Sequence, residues 1–467
     1  MDLPEINPAC PSCKVLLEII KQQQIQINLL VERVGALEAQ LEQTRREGKR
    51  QAAPFRKTIK SNPKKPGRKS GEDHGKHHRR SIPEQIDETF DVPLPKCCPD
   101  CQHTKLTQTQ TLVQYQTEIP RTVIHRQFNI AAGTCNACGC HVQGRHELQT
   151  SDATGAAGVQ LGPNVHAAIS LMNKELGLSH GKVRRALEML FDLKISRSSS
   201  CRSMLRTATR LLECGKSIAK SVRGSPQVVA DETGWRVDGG SSWLHVFVES
   251  FATYYQIDPT RSGQPMLDLL GQRYAGKLVH DGWSVYDALR NADHQQCIAH
   301  ILRRIDALIE SAKGTLCEDA VRLKAIFKRA LATRDRFLAD EITIQGCRIA
   351  AGKSLGKVVD FLLFQDRSDP AMNRILNFLD KHNQALFTFL KYPGEIDATN
   401  WRAEQAIRPA VVNRKVWGGN RTWNGAHAQS TLMSVIQTVK QRGLDAFHVI
   451  RRQLTSTKPL TLTCIAR

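Results

Sequence analysis

The spacing of apolar residues changes several times along this chain, and each change marks an element. Leu16, Ile20, Ile27, Leu30, Val34, Leu37 and Leu41 fall on alternating a and d positions of a heptad, with Gln23 as the polar interruption. That stripe predicts a coiled coil over 1–44 that joins chains into a homodimer or higher oligomer; an amphipathic helix packed on its own domain is the alternative. From 45 to 90 apolar residues become sparse, and Lys, Arg, Pro, Gly and Ser dominate as far as Arg80, so the segment cannot bury a core and reads as a flexible basic linker. Segments 111–116 and 123–130 alternate or are rich in β-formers and predict strands. A helical period takes over at 165–176, 179–191 and 198–212, broken at Gly177 and around 192–196, with Ser179 and Ser196 or Ser198 as caps.

Val228, Val229 and Ala230 then open a strand that runs to Val237, where Asp238, Gly239 and Gly240 supply hairpin-turn residues. Segments 243–249 and 254–257 read as the next strands of a meander, and after a short helix at 265–270 a strand at 277–280 leads into Asp281 and Gly282. From about 298 to 400, Leu, Ile and Phe recur at helical spacing, and Ala403, Ile407 and Val411 repeat that spacing beyond Trp401.

Charge narrows the partner. Lys and Arg number 66 against 45 Asp and Glu, a net charge of +21 over 467 residues, which points to a polyanion because cations on phosphates release counterions. An anionic membrane is the other candidate, yet no apolar run approaches the roughly 18 residues needed to span one. The opening MDLPEINPAC lacks the basic start and apolar core of an export signal. The PKKPGRKSG stretch, with Lys64, Lys65, Arg68 and Lys69, suits an arm that tracks DNA phosphates or enters the minor groove, with a solubilising linker as the plainer reading. Arg184, Arg185, Arg197, Arg202 and Arg206 near the ends of short helices suit a helix-turn-helix reader of DNA over 155–222; a helical bundle joining two domains is the alternative.

Fourteen cysteines in such a chain suggest a reducing cytoplasm and metal-bound thiolates. Cys98 with Cys101, and Cys135 with Cys138, form two C-x-x-C pairs, the arrangement of a four-thiolate Zn2+ site in a module at 91–147. Cys97, Cys140, His125 and His141 lie near enough to substitute for a ligand. Cys10 and Cys13 form a third pair with only two ligands, while Cys201, Cys214, Cys317, Cys347 and Cys464 read as small buried or incidental residues.

Three carboxylates occupy chemically loaded surroundings: Asp231 in VVADETGWRVDG, Asp281 in KLVHDGWSVYDAL, and Glu404 in TNWRAEQAIRPAVVNRKVWGG. Acids on separate elements are what two divalent metal ions need, so phosphodiester chemistry is the leading expectation. Asp231 enters from an apolar strand, Asp281 ends one, and Glu404 would reach them from a helix, with Glu232, Asp238, Asp287 and Asp293 as competitors. Arg402, Arg408, Arg414 and Lys415 surround Glu404 and would hold phosphates, while Trp417 or Trp423 could stack on an unpaired base; ordinary surface cations and core tryptophans are the alternative.

The strings DETGWRVDG, DGWSVY, CIAHILRR and NWRAEQAIRP with NRKVW resemble the transposases of the insertion sequence 66 family, of the large transposase C type, over nearly the whole chain. The resemblance implies an α/β ribonuclease H-like catalytic core at 225–297 and 399–450, a helical insertion at 298–398 and a C-terminal tail at 451–467. It implies an Asp-Asp-Glu triad at Asp231, Asp281 and Glu404 that holds Mg2+ or Mn2+, and it favours Cys98, Cys101, Cys135 and Cys138 as the Zn2+ ligands. It departs from the family pattern at Ile298, where an aromatic residue is usual, and at Gln405, where a basic one is. The implied activity is cleavage of element ends and joining of the freed 3′-hydroxyl to target DNA, in the bacterial cytoplasm and on the nucleoid, with accessory proteins of the same element. A zinc-dependent DNA-binding regulator and a structure-selective nuclease without strand transfer are the other readings.

Overall fold

The structure, a computed structural model, describes residues 11–49, 82–117, 119, 122–365 and 368–461. Lys64, Lys65, Arg68 and Lys69 of the basic arm, and Cys10 and Cys464, lie outside the described residues. The chain divides into two units, 1–115 and 116–467.

The first unit contains the helix α1 (Pro11–Lys49), which carries the heptad pattern and runs past the expected boundary at 44. Ile20, Ile27, Leu30, Val34 and Leu37 are all exposed on it. A turn at Cys98–Gln102 follows, with irregular backbone on either side.

The second unit is a mixed α/β fold. It begins with a small antiparallel pair, β1 (Ala132–Thr134) and β2 (His141–Gln143), closed by a turn through Cys135–Gly139. The strands expected at 111–116 and 123–130 do not form: the backbone there is irregular and mostly exposed, so β-propensity finds no neighbouring strand to complete its hydrogen bonds.

Four helices come next: α2 (Pro163–Lys174), α3 (His180–Phe191), α4 (Arg197–Arg210) and α5 (Leu212–Arg223). Ser179 and Ser196 cap α3 and α4 by accepting the Lys182 and Ser199 backbone N–H, and Asp192 ends α3 in the left-handed region at φ 53°. The 198–212 pattern hid a break at Leu211, after which α5 starts afresh.

The sheet is built from β3 (Gln227–Val237), β4 (Gly240–Val248), β5 (Thr253–Asp258), β6 (Lys277–His280) and β7 (Asp293–Gln296), with α6 (Gln264–Leu270) between β5 and β6. Its order is β5-β4-β3-β6-β7; β3 to β5 form an antiparallel meander, and β6 and β7 run parallel to β3. Then follow α7 (Ile298–Ser311), α8 (Thr315–Leu338), α9 (Ile344–Phe364), α10 (Pro370–Lys381) and the short α11 (Thr388–Lys391). The chain ends with α12 (Trp401–Trp417), α13 (Trp423–Gln441) and α14 (Ala446–Thr455), so residue 450 falls inside a helix rather than before a tail.

Strand alternation divides the core in two. Val229, Trp235, Val237, Leu244, Val246, Val248 and Val279 face a cluster completed by α7 to α10 and α12. Val228, Ala230, Phe247 and Leu278 face the other, completed by α4, α5, α13 and α14. Each large apolar side chain so buried contributes about 1.5–3 kcal/mol, which fixes the strand register, since a one-residue slip would send both sets to the wrong face. The 155–222 region is therefore no free-standing module: Met204, Ala208, Leu211, Ile218 and Val222 are part of the sheet's own core, and only α3 with Ile169, Val183 and Leu187 makes a satellite cluster.

Candidate active site

Parallel pairing of β3 with β6 sets two aspartates level. Val229 pairs with Val279, and two residues farther along the chain from each stand Asp231, on β3, and Asp281, just past the end of β6. Asp231 Oδ1 accepts the Glu232 backbone N–H at 3.0 Å, and Asp281 Oδ1 accepts that of Trp283 at 3.0 Å. Gly282 turns the chain directly after Asp281 at φ +91°, where a Cβ would lie 2.6 Å from the Phe378 ring and 2.7 Å from Gln296 Oε1. Only glycine meets both conditions.

Beneath this turn runs a chain of hydrogen bonds. The Gly282 N–H donates to His280 Nδ1 at 3.2 Å, so the His280 proton sits on Nε2, which donates to His294 Nδ1 at 3.0 Å; His294 Nε2–H in turn donates to the Leu289 carbonyl at 3.0 Å. Burial first, and then the neighbouring imidazoles of His294 and His382, hold the His280 pKa well below the usual histidine value, so the His280 ring is neutral.

Glu404 arrives on the first turn of α12, its N–H bonded to the Asn400 carbonyl at 3.0 Å. The α12 start is stitched to the α7 start: Ile298 N–H donates to the Ala398 carbonyl at 3.0 Å, and Cys297 Sγ accepts the Asn400 N–H at 3.4 Å. The helices between therefore leave and rejoin the sheet at one point. Glu404 Oε1 meets Arg303 Nη2 at 2.8 Å and His300 Nε2 at 3.6 Å, both from α7.

Asp231 feels both of the other acids. Asp231 is pushed up to about 8, by burial first, then by Glu232 and Asp281 and more weakly by Glu404, against one stabilising backbone hydrogen bond. Glu232 is also raised by burial, opposed chiefly by the hydrogen bond from Arg261. Among the described residues no three His, Cys, Asp or Glu side chains close into a group that could hold a metal ion. The donor chemistry nevertheless fits a hard divalent cation: three carboxylates, one of them destabilised as an anion by its neighbours, are relieved by positive charge.

The basic residues near Glu404 divide. Arg408 and Lys415 are exposed. Arg402 pairs with Asp397 at 2.9 Å, and the Arg414 guanidinium is held by the Gly234 carbonyl and the Thr233 hydroxyl of β3, so Arg414 is a strap between α12 and the sheet rather than a surface phosphate contact. Trp417 packs edge-on against Trp235 at 6.0 Å, with Lys174 over its ring, and is likewise part of the interior; Trp423 remains partly exposed.

Both cysteine pairs form the same turn. Cys98 N–H donates to the His103 carbonyl and Gln102 N–H to the Cys98 carbonyl, each at 2.9 Å. Cys135 N–H donates to the Cys140 carbonyl and Gly139 N–H to the Cys135 carbonyl, each at 2.8 Å. Gln102 and Gly139 both take the left-handed conformation. In each turn the first thiol is lowered by backbone N–H groups aimed at its sulfur, from Cys101 and Asp100 in one and from Cys138 and Ala137 in the other. Cys97 points elsewhere, its thiol donating to Gln102 Oε1 at 3.3 Å.

Residues that sequence reasoning missed include Arg303, Tyr286, His294 and Arg261. Arg303 and Tyr286 lie inside the distinctive strings CIAHILRR and DGWSVY; Arg261 carried no local signal. No helix among the described residues is long and apolar enough to cross a membrane. In comparison with known proteins, residues 158–428 match the family model described as Transposase IS66 family. No curated protein matches the chain.

Proposed function

The chain belongs to the IS66 transposase family, and from that premise we propose that it cleaves the ends of its own DNA element and joins the freed 3′-hydroxyl to target DNA, with Asp231, Asp281 and Glu404 as the reacting centre. The observation that carries this reading is that Asp231 on β3 and Asp281, directly after its parallel neighbour β6, each lie two residues beyond the last paired residues Val229 and Val279, with electrostatic coupling of Asp231 to Asp281 and Glu404. The sheet order, a three-stranded meander extended on its first strand by two parallel strands, supports a ribonuclease H-like core.

Bound Mg2+ or Mn2+ would supply an activated water and stabilise the entering and leaving oxygens of an in-line displacement. The chain's own residues prepare for this. Asp231 and Asp281 are fixed by backbone N–H groups, and the hydrogen bonds from Gly282 N–H to His280 and from His280 to His294 brace the Asp281 turn. Arg303 and His300 hold the Glu404 carboxylate at the start of α12, whose helix dipole favours an acid in the first turn. Arg408 and Lys415, together with the basic arm at Lys64, Lys65, Arg68 and Lys69, are proposed to bind the DNA backbone.

Two further parts belong to the proposal. The turns at Cys98–Cys101 and at Cys135–Cys138, each with its first thiol lowered by backbone N–H groups, support Zn2+ ligation by each cysteine pair, and the exposed heptad stripe on α1 supports pairing with a second copy. The deciding experiment is strand transfer with DNA carrying the element ends, comparing the wild type with Asp281→Ala. Joined product from the wild type and none from the variant is expected. Equal product from both would sink the site, and cut but unjoined DNA would make the protein a nuclease.

A further inference from the structure

Glu232 is the acid beside Asp231, and its side chain is only 2% exposed. Both of its oxygens are engaged: Oε1 accepts from Arg261 Nη2 at 2.8 Å and Oε2 from the Tyr286 hydroxyl at 2.9 Å. A carboxylate held at both ends by donors has little left for a cation, which separates Glu232 from its neighbour despite their adjacency.

Arg261, although its side chain is 45% exposed, lies against two rings. Its guanidinium carbon lies 4.5 Å from the Trp243 ring centroid and 4.5 Å from that of Trp283. A planar cation in contact with two indoles is restricted in its rotamers, which preorganises its hydrogen bond to Glu232. The loop that carries it is fixed from below, where Asp258 Oδ1 accepts the Thr260 N–H at 2.8 Å and its hydroxyl at 2.9 Å. The loop also docks on the turn after β6: a Cβ on Gly263 would lie 2.6 Å from Val285 Cγ1.

The parts of this unit come from separate segments. Glu232 is on β3 next to Asp231, Trp243 is on β4, and Arg261 follows β5. Trp283 and Tyr286 follow Asp281, and Tyr286 also packs on His280 with ring centroids 4.6 Å apart. β3 and β6 pair only as far as Val229 and Val279, so backbone hydrogen bonding between them ends before the two aspartates are reached. We infer that Glu232 and Arg261 are positioning residues, a brace across the open end of β3 and β6 that holds Asp231 and Asp281 at the separation a shared divalent cation requires. The inference rests on the reading of those aspartates as metal ligands.

The test is Mn2+ binding by the full-length protein, read from the electron paramagnetic resonance of free Mn2+, with and without duplex DNA. Wild type is compared with Asp231→Ala, Arg261→Met, Arg261→Lys and Tyr286→Phe, each checked for its fold by circular dichroism and melting temperature. Met keeps an apolar spacer between the indoles, and Lys keeps the charge without the planar fork, so folded material is available even if one variant fails. The brace predicts that the Mn2+ component lost in Asp231→Ala is retained but weakened about tenfold or more in folded Arg261 variants, and more mildly in Tyr286→Phe. Wild-type affinity in the folded Arg261 variants overturns the brace while leaving the aspartates as ligands. Mn2+ binding that Asp231→Ala does not change, or its absence from the wild type under both conditions, overturns the metal reading and the brace with it.

Discussion

Arg303 Nη2 lies 2.8 Å from Glu404 Oε1, so the acid that reaches the sheet from α12 is held by a cation from the first helix after β7. Arg303 is more than half exposed, and the pair adds under about 1 kcal/mol to stability. Its worth is orientation. Arg303→Ala is expected to melt within a few degrees of wild type yet lose roughly 10- to 100-fold in DNA cleavage rate, as outer-shell partners of metal ligands do. Unchanged cleavage would show that Glu404 finds its place unaided.

Gly282→Ala tests the Asp281 turn. The new methyl meets the Phe378 ring and Gln296 Oε1, on a backbone of positive φ. A loss of about 1–3 kcal/mol in stability is expected, with cleavage abolished because the turn that carries Asp281 must shift. Denaturant unfolding and end cleavage together check it; a variant as active as wild type would mean that the turn relaxes without moving the acid.

Lys174 supplies a pH test away from the acids. It is buried, donates to Gln429 Oε1 and lies over the Trp417 ring, and burial drives its pKa down to about 7 from 10.5. The unfolded chain binds the proton more tightly, so the cost of burying this ammonium is fully present below pH 7 and disappears as pH rises toward 10.5. Lys174→Met is therefore expected to be more stable than wild type at pH 6, by up to roughly 5 kcal/mol less the loss of the Gln429 hydrogen bond. The gap should narrow by pH 10. A gap independent of pH would contradict the shift.

Zinc content tests the cysteine register. About one zinc per chain is expected in the purified protein, lost in Cys98→Ser and in Cys135→Ser but kept in Cys97→Ser and Cys140→Ser. Elemental analysis by mass spectrometry decides it. Equal zinc in all four variants would remove the thiolates from consideration.

What the sequence determined by itself was local. Alternation predicted the meander and the strand into Asp281, because each face of a buried strand must find a core; helical spacing placed Glu404 on a helix, because its apolar positions already faced one way. The C-x-x-C pairs announced their turns through spacing alone. Tertiary structure decided the rest. The helices expected at 155–222 read either as a helix-turn-helix reader of DNA or as a bundle joining two domains, and only packing shows that their apolar faces complete the core under the sheet. For Arg414 a phosphate contact, and for Trp417 either a base-stacking or a core role, were open in the sequence, because charge and aromaticity are visible there while the carbonyl or indole that receives them is not. Arg261 had no signature at all: its role arises where a loop after β5, a strand and a turn meet around one buried carboxylate. Spacing encodes which face of an element is apolar; only packing in three dimensions decides which distant groups share a charge.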